Sequence, residues 1–238
     1  MKILSRRDLD SIGASVFEKY KHLPQFYGKH LFRVDPELLC TTLLGLRLDY
    51  QHLSLDGTIL GLTSFEEFGI EVYENDGSEA LYFLDGKTVL IESNLKKEAA
   101  AKGRCNFTIV HEASHQILKM IYPQDYGTKS AEKTYFYKRD ERQKHPIKNW
   151  EEWQANTLAS AILLPEELII QAMLCAGING KIKLLNRVYA PEVYRQVAIM
   201  ADFLGCSIKA LAIRMKRLKL LEKEYLDDPY SFANEKVN

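Results

Sequence analysis

His111-Glu112-Ala113-Ser114-His115 sets two imidazoles four residues apart with a carboxylate beside the first. On a helix, residues i and i+4 share a face one turn apart, so both rings can reach one metal ion. Glu112 then stands as a candidate base for a water activated by that ion. The surrounding run has the texture of a helix. Between Thr108 and Tyr122, the apolar residues Ile109, Val110, Ala113, Ile117, Met120 and Ile121 recur mostly at three- and four-residue steps, and Pro123 supplies a stop. Two histidines and a glutamate in so apolar a helix are costly without partners. A metal would satisfy both histidines; the competing account is a pair of core histidines bonded to backbone.

The motif supplies two ligands, and a catalytic zinc normally takes a third from the protein while keeping one position for water. No further His follows at the spacing of the metzincins. A carboxylate from a second helix is the other common solution. The helix expected from Trp150 to Leu164 offers the neighbours Glu151 and Glu152. They point about 100° apart, so only one can face the metal helix. The Glu152 face continues through Asn156, Ala159 or Ser160, and Leu163, small enough in part for close helix approach. Spacing favours Glu152 only slightly, and a solvated carboxylate in a first helical turn accounts equally well for either.

A longer comparison of residues separates the two. Arg104-Cys105-Asn106-Phe107-Thr108-Ile109-Val110-His111-Glu112-Ala113-Ser114-His115 resembles the active-site helix of the ImmA/IrrE family of zinc metallopeptidases, R-x-x-F-T-x-x-H-E-x-G-H. Glu152-Trp153-Gln154-Ala155-Asn156-Thr157-Leu158-Ala159-Ser160-Ala161-Ile162-Leu163-Leu164-Pro165 is similar to that family's second signature, E-x-x-A-N-x-x-A-x-x-L-L-x-P. The segment from Gly57 to Phe65 also resembles members, so the likeness covers roughly residues 55 to 165. It implies Zn2+ held by His111, His115 and Glu152, with Glu112 as the catalytic glutamate. Ser114 departs from the usual glycine but is small enough to keep the helix packing. The implied activity is zinc-dependent endopeptidase, with a helix-turn-helix repressor as protein substrate. For the oxyanion, Tyr135, Tyr137 and His145 are candidates, and none is assigned. Thr88 to Glu92 is a candidate edge for pairing an extended substrate.

The positioning elements follow from pattern. Ser5 and Asp8 have capping-box spacing ahead of a helix to Lys21 with the stripe Leu9, Ile12, Val16 and Tyr20. Asp35-Pro36 starts a second helix to about Leu44. From Arg47 to Ser93, Asp-Gly pairs punctuate β-prone runs at 59–60, 70–73, 80–84 and 87–92, the last two reading as a hairpin around Asp85-Gly86. Residues 123–149 form a long connection with a mixed charge run from Lys138 to Lys144, read as a solvated surface. Helices follow to Leu164 and Ala176, then Pro191–Phe203 and Ser207–Leu221, and a frayed tail from Asp227. The expected fold is α+β: a small, mostly antiparallel sheet on a gluzincin-like HExxH helix with added N- and C-terminal helices. The expected domains are a metallopeptidase domain at 1–177, a helical region at 178–226 and a tail at 227–238.

Lys plus Arg and Asp plus Glu balance at 32 each, so no global field draws nucleic acid or anionic membrane. The final helix pair, with Arg214, Lys216, Arg217 and Lys219, has a helix-turn-helix flavour. Its stripe Ile208, Leu211, Met215 and Leu218 instead suits a packing helix with solvated cations, so direct nucleic-acid binding is not expected. The alternative function is a DNA-binding or partner-binding regulator with a metallopeptidase-like fold and no proteolytic activity. Cys40, Cys105, Cys175 and Cys206 form no CxxC pair and read as free thiols. The first residues lack the apolar core of a signal peptide, and no run suffices to span a bilayer. A cytoplasmic protein is the expectation.

Overall fold

The computed structural model describes residues 2–126, 135–138 and 150–235. The chain divides into two compact units, residues 1–28 with 35–163 and residues 29–34 with 164–238. The first unit ends at Leu163. Pro165 ends the preceding helix, and the next helix packs on the C-terminal helices.

The first unit opens with α1 (Arg6–Lys21), whose Ser5 and Asp8 form a reciprocal capping box. Its buried face is Leu9, Gly13, Val16, Phe17 and Tyr20. Asp35 caps α2 (Pro36–Leu38), which continues as a π-helical turn through Leu39–Leu43. Then come β1 (Arg47–Gln51), β2 (Ile59–Thr63), β3 (Glu67–Tyr73), β4 (Glu79–Asp85) and β5 (Thr88–Glu92). After the short α3 (Ser93–Lys97), α4 (Lys102–Ile121) carries the HExxH residues, starting six residues earlier than the apolar pattern suggested. β6 (Tyr135–Lys138) and α5 (Trp150–Leu163) complete the unit.

One four-stranded sheet runs β1-β5-β2-β6, and β3 with β4 forms a separate two-stranded layer. β5 lies parallel to β1 and antiparallel to β2; β2 and β6 are antiparallel. Thus the α+β class and the mostly antiparallel pairing are present, but the hairpin expected around Asp85-Gly86 is not. β5 is buried at every residue, and such a strand needs partners on both edges and cover on both faces. β1, whose residues the pattern left unassigned, and β2 supply the edges. β4 alternates in exposure and pairs with β3 across Asp76-Gly77 instead. Asp85-Gly86 turns the chain between layers. Asp85 accepts hydrogen bonds from Lys87 N and Thr88 Oγ1, and Gly86 sits at φ 75° with no room for a Cβ against Phe65 O.

The layers share the central sheet. Leu60, Val89 and Ile91 pack towards Cys105, Ile109 and Ala113 of α4. On the other side, Leu62 and Leu90 pack against Ile70, Val72 and Leu84 of the hairpin. The pairing of β2 with β6 shifts register between Ile59 and Gly61, a bulge that lets both Leu60 and Gly61 look towards α4. Behind α4 lies α5, and α1 closes on α5 so tightly that a Cβ on Gly13 would stand 2.6 Å from Ala161 Cβ.

The second unit holds α6 (Glu166–Cys175), β7 (Ile182–Leu185), α7 (Pro191–Leu204), α8 (Ile208–Arg217), β8 (Leu221–Glu224) and α9 (Ser231–Glu235). β7 and β8 pair in parallel, a small sheet that the sequence pattern did not disclose. Gly205 at φ 70° ends α7, and Ser207 caps α8. Leu211 and Met215 are buried as expected; Ile208 and Leu218 are half-buried. Arg214 is not a solvated cation. It is 4% exposed, and its Nε donates to Leu164 O at 3.1 Å. Residues 228–232 are not frayed: Asn186 Nδ2 donates to Pro229 O, and Phe232 packs between Tyr189 and Tyr225. Among the described residues, no single helix is long and apolar enough to cross a membrane.

Candidate metal centre

α4 brings His111 and His115 to one face, both fully buried, with their ring centroids 4.9 Å apart and nearly perpendicular. The two Nε2 atoms are 3.2 Å apart. Glu152, in the first turn of α5, reaches across with Oε2 at 3.1 Å from His111 Nε2 and Oε1 at 3.3 Å from His115 Nε2. Glu151, its neighbour, is buried elsewhere, where its charge adds to burial in pushing the Tyr126 phenol above its ordinary pKa. Of the two neighbouring carboxylates, Glu152 is the one that meets the histidines.

His111, His115 and Glu152 could hold a metal ion. A tetrahedral site with ligands at about 2.0–2.1 Å has edges of about 3.3 Å, so donor separations of 3.1 to 3.3 Å match it closely. Two imidazoles and a carboxylate are also a donor set suited to zinc. Burial pushes His111 below its ordinary pKa, towards the neutral form that ligates, while hydrogen bonds with Glu152 and Asn156 oppose the shift. For Glu152, burial acts upward, but the two histidines outweigh it and hold the carboxyl well below the usual range.

Glu112 completes the cluster. It is fully buried, and neither carboxylate oxygen has a hydrogen-bond partner among the described residues. Burial, then the charge of Glu152, pushes its pKa well above the ordinary value. A buried carboxyl left unbonded is a cost that packing does not explain. The opposite wall is backbone: Gly61 of β2 faces Thr108 and Glu112 with no side chain between.

Three residues missed by pattern fix this geometry. Gln116, next to His115, donates from Nε2 to Thr63 Oγ1 and Ser64 O, both at 2.8 Å, tying α4 to the end of β2. Asn156 bonds His111 from one turn beyond Glu152. Gly61 admits α4 to the sheet; a glycine inside a β-prone run was the available signal. Ser114 donates to Val110 O at 2.7 Å within the helix, so the departure from glycine is absorbed locally. The strand 88–92 is not a free edge, since β1 and β2 occupy both its sides. Of the oxyanion candidates, Tyr135 and Tyr137 lie on β6, described for its backbone course, and His145 lies outside the described residues, as does the charge run beyond Lys138.

Compared with known proteins, the chain matches no protein-family model and no curated protein.

Proposed function

We propose that the chain is a zinc-dependent endopeptidase. Its ligands are His111, His115 and Glu152, and its proton-transfer residue is Glu112. The observation that carries this reading is the meeting of three donors at tetrahedral spacing beside a buried carboxyl with no hydrogen-bond partner among the described residues. The ImmA/IrrE resemblance rests on the signature residues quoted above. It adds the gluzincin-like arrangement of the two helices and the substrate class, a helix-turn-helix repressor.

A zinc ion bound there supplies a Lewis acid that acidifies water and polarises a carbonyl. The protein does the rest. Glu112 takes a proton from the attacking water at a carboxylate oxygen and delivers it to the leaving amine nitrogen. Glu152 and Asn156 hold the His111 ring in place, and Gln116 fixes the position of α4 against β2. The buried setting of Glu112 keeps bulk water from competing for that proton.

The test pairs metal analysis with cleavage of a candidate repressor encoded nearby. Glu112→Gln should retain one zinc per chain and lose cleavage by about a hundredfold or more. Wild-type cleavage by that variant, or a purified chain that takes up no divalent ion, rejects the reading.

A further inference from the structure

Charge is balanced over the whole chain but not along it. From Leu53 to Gly86 there are eight Asp and Glu residues and no Lys, Arg or His. Four of the eight, Glu67, Glu71, Glu79 and Asp85, lie on β3 and β4. Their inner face, Ile70, Val72 and Leu84, is buried against the central sheet. The outer face should then be polar, as in other antiparallel pairs with one solvated side. It is not uniformly so. Phe83 is 70% exposed and Leu81 62% exposed, two residues apart on β4.

The register explains how they form one patch. Phe83 pairs with Gly69 and Leu81 with Glu71. Without a side chain at Gly69, both apolar groups lean over that position: a Cβ there would lie 3.4 Å from Phe83 Cε1 and 3.5 Å from Leu81 Cδ1. Glu67 opposite Asp85, and Glu79 opposite Tyr73, flank the patch along the strands. Scattered exposed apolar residues need no explanation. A contiguous aromatic and aliphatic pair inside a carboxylate rim is the pattern of an interface centre with a charged border.

We propose that this outer face docks a cationic, amphipathic segment of a partner protein. The partner's apolar side chains would cover Leu81 and Phe83, and its Lys or Arg side chains would meet Glu71 and Glu79. The rim selects the occupant. It repels nucleic acid and anionic lipid, and it sets like charges against each other in a symmetric self-contact. The hairpin and α4 lie on opposite faces of the central sheet, so an occupant here leaves the metal centre open. The proposal does not depend on hydrolysis.

The experiment is fluorescence anisotropy on the full chain with a labelled helical peptide of Lys on one face and Leu on the other. A Lys/Ser peptide of equal charge and a Glu/Leu peptide serve as comparisons. Saturable binding of the Lys/Leu peptide is expected, weakening with salt. Leu81→Ser with Phe83→Ser, and separately Glu71→Lys with Glu79→Lys, should each weaken it by about tenfold or more. Leu81→Ala and Glu71→Gln should weaken it less and guard against a folding defect, and Glu112→Gln should bind as wild type. Equal affinity for the Lys/Ser peptide, or affinity unmoved by the hairpin variants, overturns the proposal. So does a hairpin-dependent dimer in sedimentation, or hairpin-dependent binding to anionic vesicles.

Discussion

A Cβ added to Gly61 would stand 3.0 Å from both Cγ and Oε1 of Glu112 and 2.5 Å from Thr108 Cγ2. The strand therefore touches the acid through bare backbone. Gly61→Ala should push Glu112 off its position, lower stability by about 1–3 kcal/mol and reduce cleavage by about tenfold or more. The proposed metal ligands are untouched, so zinc content should hold. Thr108→Ala removes the closest obstacle and should restore part of both losses. A Gly61→Ala variant with unchanged thermal stability and turnover would show that the contact is loose.

Metal retention should separate the neighbouring glutamates. Glu152→Ala is expected to weaken zinc binding by about a hundredfold or more, and Asn156→Ala by about tenfold through the His111 ring. Glu151→Ala should leave binding near wild type, because that carboxylate lies away from the histidines. Titration against a competing chelator measures all three. Equal losses for Glu151→Ala and Glu152→Ala would contradict the assignment.

Arg214→Gln should destabilise the second unit by about 2 kcal/mol, since a buried charged donor to Leu164 O is removed and the carbonyl is left to a poorer partner. Lys216→Gln, on an exposed side chain near Glu224, should change stability by about 0.5 kcal/mol at most. Urea unfolding followed by circular dichroism distinguishes them; matching midpoints would refute the burial argument.

Thiol chemistry should single out Cys175. Burial pushes Cys40 and Cys206 up to about 12 and Cys105 to about 11, and all three side chains are shielded, whereas Cys175 is exposed. At about pH 8, a disulfide-exchange reagent should label one thiol quickly, and the rest only after denaturant is added. Rapid labelling that survives Cys175→Ser would show that the core opens on the assay timescale.

What the sequence disclosed, and what it withheld, follows from the range of each interaction. Ser5 with Asp8, Asp35 with Pro36, Gly205 and Ser207 are local signals, and the helix ends lie where those residues put them. His111 and His115 were legible because one helical turn joins them. Glu152 was legible as one of two neighbours, since its rotation towards the histidines depends on how α5 packs. Strand partners were not legible. Asp85-Gly86 looks like a hairpin turn, but β5 is buried on both faces, and that burial overrides the local turn signal. Arg214 looked solvated because its carbonyl partner lies fifty residues away in sequence.

The parallel pairing of β1 with β5 has a consequence for how the centre is assembled. β3 and β4 can zip across a tight turn, but β1 and β5 meet only after the whole stretch between them has folded back. Loop closure of that kind delays non-local pairing and slows folding. Until it happens, β5 lacks one of its two neighbours and α4 lies on an incomplete sheet. Conditions that slow strand pairing should therefore yield a chain whose helices form before its central sheet, with the burial of β5 between β1 and β2 reporting the last stage of refolding.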